Sequence, residues 1–285
     1  MRFDTTLGLE SRRGPVASVL KFVLYAGIVI VFTGPLIGLL LSAFGKVVNP
    51  THFSLPEAFT LENFAKAGER KVYLYLLNSF VVVGFGLLLQ MVVSVFASYS
   101  LARKKFRGMT VVLLLILITI MIPEEIIILP LSAVLGDMPV IGVNLLGSYA
   151  GMILPVGAWG FSILVMTEFM KEVPIELEEA ARIDGAGELR TFFTIILPLC
   201  RPALGVIGVF GFTMIWDQYL LPVIVSTDSD LWTLPIALRS LRSDEEVGIG
   251  VLLAASLLAL LPSIIAFLAF QRQFMRGLTS GAIKG

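Results

Sequence analysis

The chain has almost none of the residues that form disulfides or structural metal sites. It contains one cysteine, Cys200, and one histidine, His52, among 285 residues. An internal disulfide needs two cysteines and a structural zinc site needs clustered Cys and His ligands, so we expect neither, and we predict no metal site. Charged residues make up only 15% of the chain and balance to a net charge of zero. Charge therefore gives no reason to expect nucleic acid as a partner.

Hydrophobic residues are abundant instead, at 57% of the chain, with a mean hydropathy of +0.93. One soluble core cannot bury so much apolar surface, and lipid must solvate much of it. A helix needs roughly 20 apolar residues to cross a bilayer core of about 30 Å. Six stretches meet this length and predict an all-α membrane protein of six transmembrane helices, at about 20–44, 75–100, 110–134, 147–170, 202–226 and 247–270.

The first stretch has a competing interpretation as a removable signal peptide, because basic residues precede it. Its apolar run is longer than the core of a signal peptide, so we interpret it as a helix. The segments between the stretches are too short for a second folded domain. We therefore predict one transmembrane domain over 1–285.

The distribution of Lys and Arg predicts the orientation of these helices. If the N-terminus is cytoplasmic, 15 of the 21 basic residues lie on the cytoplasmic side. The short turn from Arg103 to Arg107 is basic and contains no acidic residue. Because basic residues favour the cytoplasmic side, both termini should face the cytoplasm.

The connection between the fourth and fifth stretches, residues 171–201, predicts two short helices outside the membrane. Pro174 suits the first turn of a helix, and Gly185 and Gly187 can end it. A second helical piece follows from Glu188 to Leu197, and Pro198 and Pro202 redirect the chain. The result is a compact protrusion with small alanines that another protein can approach closely; an ordinary amphipathic interfacial loop is the simpler interpretation.

This connection resembles the cytoplasmic signature of the membrane subunits of binding-protein-dependent ABC importers. That signature is Glu-Ala-Ala, three residues, Gly, nine residues, Ile, one residue, Leu-Pro. The matching residues here are Glu179, Ala180, Ala181, Gly185, Ile195, Leu197 and Pro198, with Asp184 inside the motif. The resemblance implies a type I importer permease in which a coupling helix at 174–187 docks on an ATPase subunit and transmits its movement.

The resemblance extends along most of the chain and narrows to carbohydrate-type permeases related to the smaller membrane subunit of the maltose importer. Asn78-Ser79, Tyr99 to Arg103 and Thr233-Leu234-Pro235 are similar to that group. The tail, residues 271–285, resembles the glycine-rich tail that reaches toward the ATPases, with the candidate contact residues Gln271, Arg272, Gly277 and Gly281. Without the resemblance, the tail is as consistent with a frayed basic terminus as with a contact element.

The resemblance also implies a division of labour among subunits of a prokaryotic inner-membrane complex. No Gly-x-x-x-x-Gly-Lys-Ser/Thr loop occurs in the chain, so we expect no bound cofactor and no enzyme activity here, with ATP and Mg bound by partner ATPase subunits. The expected partners are a second homologous permease, two ATP-binding subunits, an extracytoplasmic solute-binding protein and lipid. That binding protein would dock on loops such as 45–74 and 227–246.

Acidic residues inside predicted membrane helices are candidates for a solute path or a buried pair. Glu124 and Glu125 in the third helix and Asp217 in the fifth are each predicted about 21 to 23 Å along their helices, which suggests one outward-opening cavity. The candidate path consists of Asn78, Glu124, Glu125, Trp216, Asp217, Gln218 and Tyr219. Hydrogen-bonding side chains suit the hydroxyls of a sugar, and flat aromatic rings suit its apolar faces.

Three alternatives remain open from the sequence. Trp216 and Tyr219 are also typical of residues that anchor a helix at the membrane interface. In that interpretation, Asp217 caps a helix or forms a local ion pair. Glu124 and Glu125 are as consistent with structural ion pairs as with a place along the solute pathway. Finally, an ion-coupled secondary carrier would use the same intramembrane acids to bind protons or sodium.

Overall fold

The computed structural model describes residues 15–46, 58–139, 142–244 and 246–282, with side chains described from residue 19 to residue 271. These parts are almost entirely helical, and their only β-type pairing is an isolated bridge between Gly45 and Phe59. The α-helices are α1 Pro15–Ala43, α2 Glu62–Glu69, α3 Val72–Arg103, α4 Met109–Met121, α5 Glu124–Gly136, α6 Tyr149–Val156, α7 Gly160–Glu172, α8 Ile175–Ile183, α9 Glu188–Thr191, α10 Leu197–Leu199, α11 Arg201–Trp216, α12 Leu220–Val225, α13 Leu234–Ser243 and α14 Ile249–Ala282.

Four helical segments of the described chain are long and apolar enough to cross a membrane, judged by length and composition. They are Val19–Ala43, Val72–Arg103, Tyr149–Glu172 and Ile249–Gln271. Two bent helix pairs, α4 with α5 and the Glu188–Leu199 segment with α11, pass the same test when each pair is taken together. The described chain thus has four to six candidate membrane spans, a range that includes the predicted six.

The third predicted helix is not continuous, which corrects the expectation of one helix over 110–134. α4 ends at Met121, α5 begins at Glu124, and the two helices are bent by 110°. Pro123 lies between them and has no N–H to donate, and the preceding Ile122 is in an extended conformation. A residue before proline is disfavoured in the α region, so the break follows from this one position.

The fifth predicted helix, 202–226, also has a break. α11 ends at Trp216, and α12 begins only at Leu220. Asp217 is therefore the residue that ends α11 and does not lie inside a continuous helix. The last helix, in contrast, runs past its predicted end at 270 as far as Ala282.

The 32-residue helix α3 connects two buried clusters. At its N-terminal half, Val82 and Val83 pack in a cluster with Met152, Ile215 and Leu234. At its C-terminal half, Val95 packs with Met166, Phe192 and Ile207. A run of 32 residues at 1.5 Å each makes α3 about 48 Å long, so it spans the whole bundle.

Short polar side chains hold α3 against α7. The hydroxyls of Ser94 and Ser162 lie 2.6 Å apart, and Ser98 donates a hydrogen bond of 2.7 Å to the carbonyl of Ile163. All three serines are fully buried. Small hydroxylated residues allow two helices to approach closely in a lipid environment. By contrast, α4 has no buried residue, and its apolar side chains are free to face lipid or another subunit.

Candidate functional site

Residues 174–199, which we call the elbow, form a protrusion of short helices at the C-terminal end of α3. α8 follows Pro174 and has Glu176 and Glu178 in its first turn, where carboxylates are favoured by the helix dipole. α9 begins after Gly187, and a five-residue π-helix, Phe192–Ile196, leads into α10. The predicted pair of helices around a glycine turn is thus present in the structure.

Gly185 forms the turn of the elbow because its backbone has a φ of +78°. Its N–H donates to the carbonyl of Arg182, and the N–H of Ala186 donates to the carbonyl of Ala181 at 2.9 Å. These bonds satisfy carbonyls that the end of α8 would otherwise leave unpaired. A residue with a Cβ is strained at this φ, so glycine is required here by the backbone.

The motif residues of the elbow divide into an exposed half and a packed half. Glu179, Ala180, Asp184 and Gly185 are exposed, whereas Ala181 is buried. Ile195, Leu197 and Pro198 are half-buried, and Leu197 packs against the cluster that contains Phe192 and Ile196. The first half is therefore free for contact with another molecule, and the second half fixes the elbow to the bundle.

Large apolar side chains also project from the exposed half of the elbow. Ile183 is 86% exposed and Leu189 is 69% exposed, and Ile175, Leu177 and Phe193 are exposed as well. Clusters of exposed apolar side chains on a protein surface are typical of contact sites. The sequence analysis emphasised the alanines and missed these larger residues, although their place between charged residues in α8 and α9 was a usable signal.

Two ion pairs join the elbow to the end of α3, and the sequence analysis predicted neither. Arg103 Nε lies 2.6 Å from Glu178 Oε1, and Lys104 Nζ lies 2.5 Å from Glu188 Oε1. These pairs, together with Tyr99, Arg182 and Thr191, line a polar cavity of about 210 Å³. Opposite charges 75 and 84 residues apart give no local pattern, so only the packed structure brings them together.

A second cavity lies at the break after α11, toward the opposite end of the bundle, which we call the loop end. Its volume is about 320 Å³. It is lined by Trp216, Asp217, Leu234, Pro235, Leu238, Ser256, Ala259, Leu260 and Ser263. Two of the predicted path residues, Trp216 and Asp217, therefore line one cavity, with hydroxyl groups from α14 on its wall.

Trp216 in this cavity is also a packing residue. Its side chain is buried, its ring stacks on Phe212 at 5.4 Å, and its Nε1–H donates to the carbonyl of Ala259 at 3.2 Å. The carboxylate of Asp217, in contrast, is exposed at the cavity. Asp217 thus offers a hydrogen-bond acceptor, while Trp216 packs within the cavity wall.

The other predicted path residues have contacts of their own. Gln218 donates a hydrogen bond of 2.9 Å to Glu124, Glu125 is exposed, and the guanidinium of Arg239 lies 5.1 Å from the ring centre of Tyr219. These four path residues are not among those that line the cavity with Asp217, so the structure does not show the single cavity expected for Glu124, Glu125 and Asp217. The hydrogen bond between Gln218 and Glu124 instead joins the two helix breaks, α4–α5 and α11–α12.

Asn78 does not line the cavity, which corrects its place among the path residues. It is 1% exposed, and its amide nitrogen donates to the carbonyls of Asp230 at 2.8 Å and Trp232 at 2.9 Å. Its amide oxygen accepts from the hydroxyl of Tyr149 at 2.7 Å. Since both ends of the amide are used within the chain, Asn78 fixes the loop-end segment, residues 226–244, to α3.

The predicted tail residues lie on the extended α14. Gln271 donates to the carbonyl of Leu268, and the helix continues through Gly277 and Gly281 to Ala282. The side chain of Arg272 and residues 283–285 lie outside the described part. Among the described residues, no group of three or more His, Cys, Asp or Glu side chains is arranged to hold a metal ion.

Comparison with known proteins gives one family for most of the chain. The profile of the family described as "Binding-protein-dependent transport system inner membrane component" matches residues 72–279. The chain is 32% identical to the diacetylchitobiose uptake system permease protein NgcG of Streptomyces coelicolor, over 96% of this chain and 91% of that protein. It is 31% identical to the arabinooligosaccharides transport system permease protein AraQ of Halalkalibacterium halodurans, over 97% of this chain and 100% of that one.

Solved structures show the same fold. One chain of a bacterial ABC transporter involved in the import of the acidic polysaccharide alginate matches with a TM-score of 0.80 at 21% sequence identity. The match covers 93% of this chain and 98% of the alginate transporter chain. A chain from the alginate transporter in complex with an alginate pentasaccharide-bound periplasmic protein matches with a TM-score of 0.59.

Proposed function

The chain belongs to the family of inner membrane components of binding-protein-dependent transport systems, and we propose that it is one of two permease subunits of an ATP-driven carbohydrate importer. Its termini face the cytoplasm, its elbow docks on an ATPase subunit, and an extracytoplasmic binding protein delivers the solute at the loop end. A second permease of the same fold and two ATPases complete the assembly, and the ATPases bind ATP and Mg.

The elbow is the observation that carries this proposal. Its exposed half combines signature residues, such as Glu179, with the apolar side chains of Ile183 and Leu189. A group of large apolar side chains exposed outside the lipid is unfavourable in water, so a protein partner that covers them would stabilise the assembly. An ATPase subunit in that position would move the elbow when it binds and hydrolyses ATP.

The carbohydrate class is supported by the relatives and by the chemistry of the loop-end cavity. NgcG and AraQ are named for the uptake of a disaccharide and of oligosaccharides. The cavity offers the carboxylate of Asp217 and the hydroxyl of Ser263. Carboxylates and hydroxyls form hydrogen bonds with sugar hydroxyls.

The proposal is tested first by association. Ile183→Asp places a charge at an 86% exposed position, so it should leave the fold intact and release the ATPase subunits from the purified complex. Leu61→Asp is the matched control, because Leu61 is 68% exposed beside α2 at the loop end. We expect the Leu61 variant to retain the ATPases, and loss of the ATPases from neither variant would contradict the docking role of the elbow.

Uptake then tests the energy source and the solute class. Vesicles containing the assembled transporter are given a panel of labelled diacetylchitobiose, arabino-oligosaccharides and alginate oligosaccharides. Uptake of one of them should require internal ATP and the binding protein. Uptake driven by a proton or sodium gradient alone would instead identify an ion-coupled carrier and overturn the proposal.

A further inference from the structure

Arg103 and Glu178 form a nearly buried ion pair between the end of α3 and the first turn of α8. Their charged atoms lie 2.6 Å apart, and their side chains are only 8% and 10% exposed. A buried charge that loses its partner is left uncompensated in a medium of low dielectric constant. Separating α8 from α3 is therefore costly, and the two helices should stay together when either one moves.

The same guanidinium holds the chain on the other side of the Pro174 junction. Arg103 Nη2 donates a hydrogen bond of 2.6 Å to the carbonyl of Val173, the residue that ends α7. Val173 is itself buried. One side chain of α3 therefore contacts both the last residue before the elbow and the first helix within it.

The neighbouring pair, Lys104 with Glu188, differs in its surroundings. The side chains of Lys104 and Glu188 are 46% and 54% exposed. Exposed pairs are screened by water and salt and contribute little to stability. The rigid part of the junction between the elbow and α3 is thus the Arg103–Glu178 pair with its bond to Val173.

The opposite end of α3 is attached just as directly to the loop-end segment. Asn78 binds the backbone carbonyls of Asp230 and Trp232, and Ser79 accepts a hydrogen bond of 2.8 Å from the N–H of Leu234. Leu234 lines the 320 Å³ cavity. A displacement of α3 at the elbow would consequently reach the wall of that cavity.

We propose that Arg103 is a positioning residue, which through Glu178 joins the elbow and α3 into one rigid body. Movement of the elbow then becomes movement of α3 and of the loop-end segment. The inference rests on the proposed function, because the ATPase supplies the movement. It adds the residue pair through which that movement enters the membrane helices.

The experiment measures the distance between the elbow and α3 in the assembled transporter. Nitroxide labels are placed at Glu176→Cys on α8 and at Leu77→Cys on α3, two exposed positions, while the fully buried Cys200 is left in place. Pulsed electron paramagnetic resonance then gives the distance without nucleotide and with MgATP and vanadate. In the labelled parent we expect one narrow distance that is the same in both states.

Glu178→Gln removes the charge and leaves the bond from Arg103 to Val173 in place. We expect it to broaden the distance distribution without nucleotide and to shift it with MgATP and vanadate by on the order of 5 Å, about one helical turn. Arg103→Glu should act in the same way, and the exchanged pair Arg103→Glu with Glu178→Arg should restore the narrow distance. Lys105→Glu, an exposed charge reversal two residues from Arg103, is the matched control and should behave like the parent.

The outcomes separate the two proposals. If the parent keeps its ATPase subunits but Glu178→Gln gives the parent's narrow, unchanged distance, the rigid junction is wrong and the transporter role stands. A parent whose distance changes between the two states contradicts the junction in the same way. If the purified transporter without labels retains no ATPase, the proposed function is wrong, and the role of Arg103 fails with it.

Discussion

Gln218 donates a hydrogen bond of 2.9 Å to Glu124, although 94 residues separate them in the sequence. Each of these residues lies where a predicted membrane helix is broken: Gln218 follows the end of α11, and Glu124 is the first residue of α5. Backbone groups at a helix break lack helical partners, so polar side chains are expected to gather there. The bond ties two irregular segments together beside the cavity that contains Asp217.

Substitutions at Glu124 test whether this bond shapes the transport path. Glu124→Gln keeps an oxygen that accepts from Gln218, so uptake should stay within about twofold of the parent, whereas Glu124→Ala removes the acceptor of an exposed hydrogen bond worth about 0.5 to 1.5 kcal/mol. We expect about a two- to tenfold loss of uptake for the alanine variant, since 1.4 kcal/mol corresponds to a factor of ten. Initial uptake rates measure both. Equal rates for the alanine variant and the parent would show that the bond is dispensable.

Asn78 should be required for the stability of the loop end. Asn78→Leu keeps the approximate size of the side chain but leaves two carbonyls and the hydroxyl of Tyr149 without their partner. The expected loss is about 2 to 4 kcal/mol of unfolding free energy, while Tyr149→Phe, which removes a single bond, should lose about 1 kcal/mol. Thermal unfolding in detergent compares the two, and proteolysis between residues 226 and 244 should increase only for Asn78→Leu. The reverse order of stability would contradict this assignment.

Substitution by alanine should affect stability differently at the two glycines of the elbow, Gly185 and Gly187. Gly185 has a φ of +78°, whereas Gly187 has a φ of −71° and open space around it. Gly185→Ala should destabilise the end of α8 by about 1 to 2 kcal/mol, and Gly187→Ala should cost nothing or stabilise the turn slightly. Hydrogen exchange over residues 175–191 measures this difference. Similar exchange in both variants would argue against a conformational requirement at Gly185.

Gly185→Asp adds a charge to the strained backbone at the exposed turn. We expect this variant to insert into the membrane normally, to lose uptake and to release the ATPase subunits. Membrane fractionation, uptake and co-purification test the three parts separately. Normal uptake by Gly185→Asp would count strongly against the docking role of the elbow.

The contribution of the Lys71–Asp230 ion pair to the stability of the protein should not change with pH near neutral pH. Lys71 Nζ lies 2.7 Å from Asp230, and this hydrogen bond raises the pKa of Lys71 above its ordinary value of 10.5. Because folding raises the pKa of Lys71, the ion pair stabilises the protein fully at pH values below the ordinary pKa. This stabilisation is lost only as the pH rises through the raised pKa of the folded state. The difference in thermal midpoint between the parent and Lys71→Met should therefore be constant from about pH 6 to pH 9. A difference that changes within this range would show that another group titrates at this contact.

The sequence by itself determined the class of the protein, the approximate positions of its membrane helices and the elbow. These features depend on local composition and spacing: apolar runs of sufficient length, Pro174 before a helical segment, and Gly185 where the chain must turn. The bend at Pro123 was also encoded locally. Its steric cause lies in two adjacent residues, Ile122 and Pro123.

Only the tertiary structure decided which distant residues meet. Arg103 with Glu178, Gln218 with Glu124 and Asn78 with Tyr149 are separated by 71 to 94 residues. Such contacts depend on how several helices pack together, and no periodicity within a single helix specifies them. Asn78 illustrates the consequence: its polar side chain suggested a solute contact, but its position beside the loop-end backbone makes it an internal anchor.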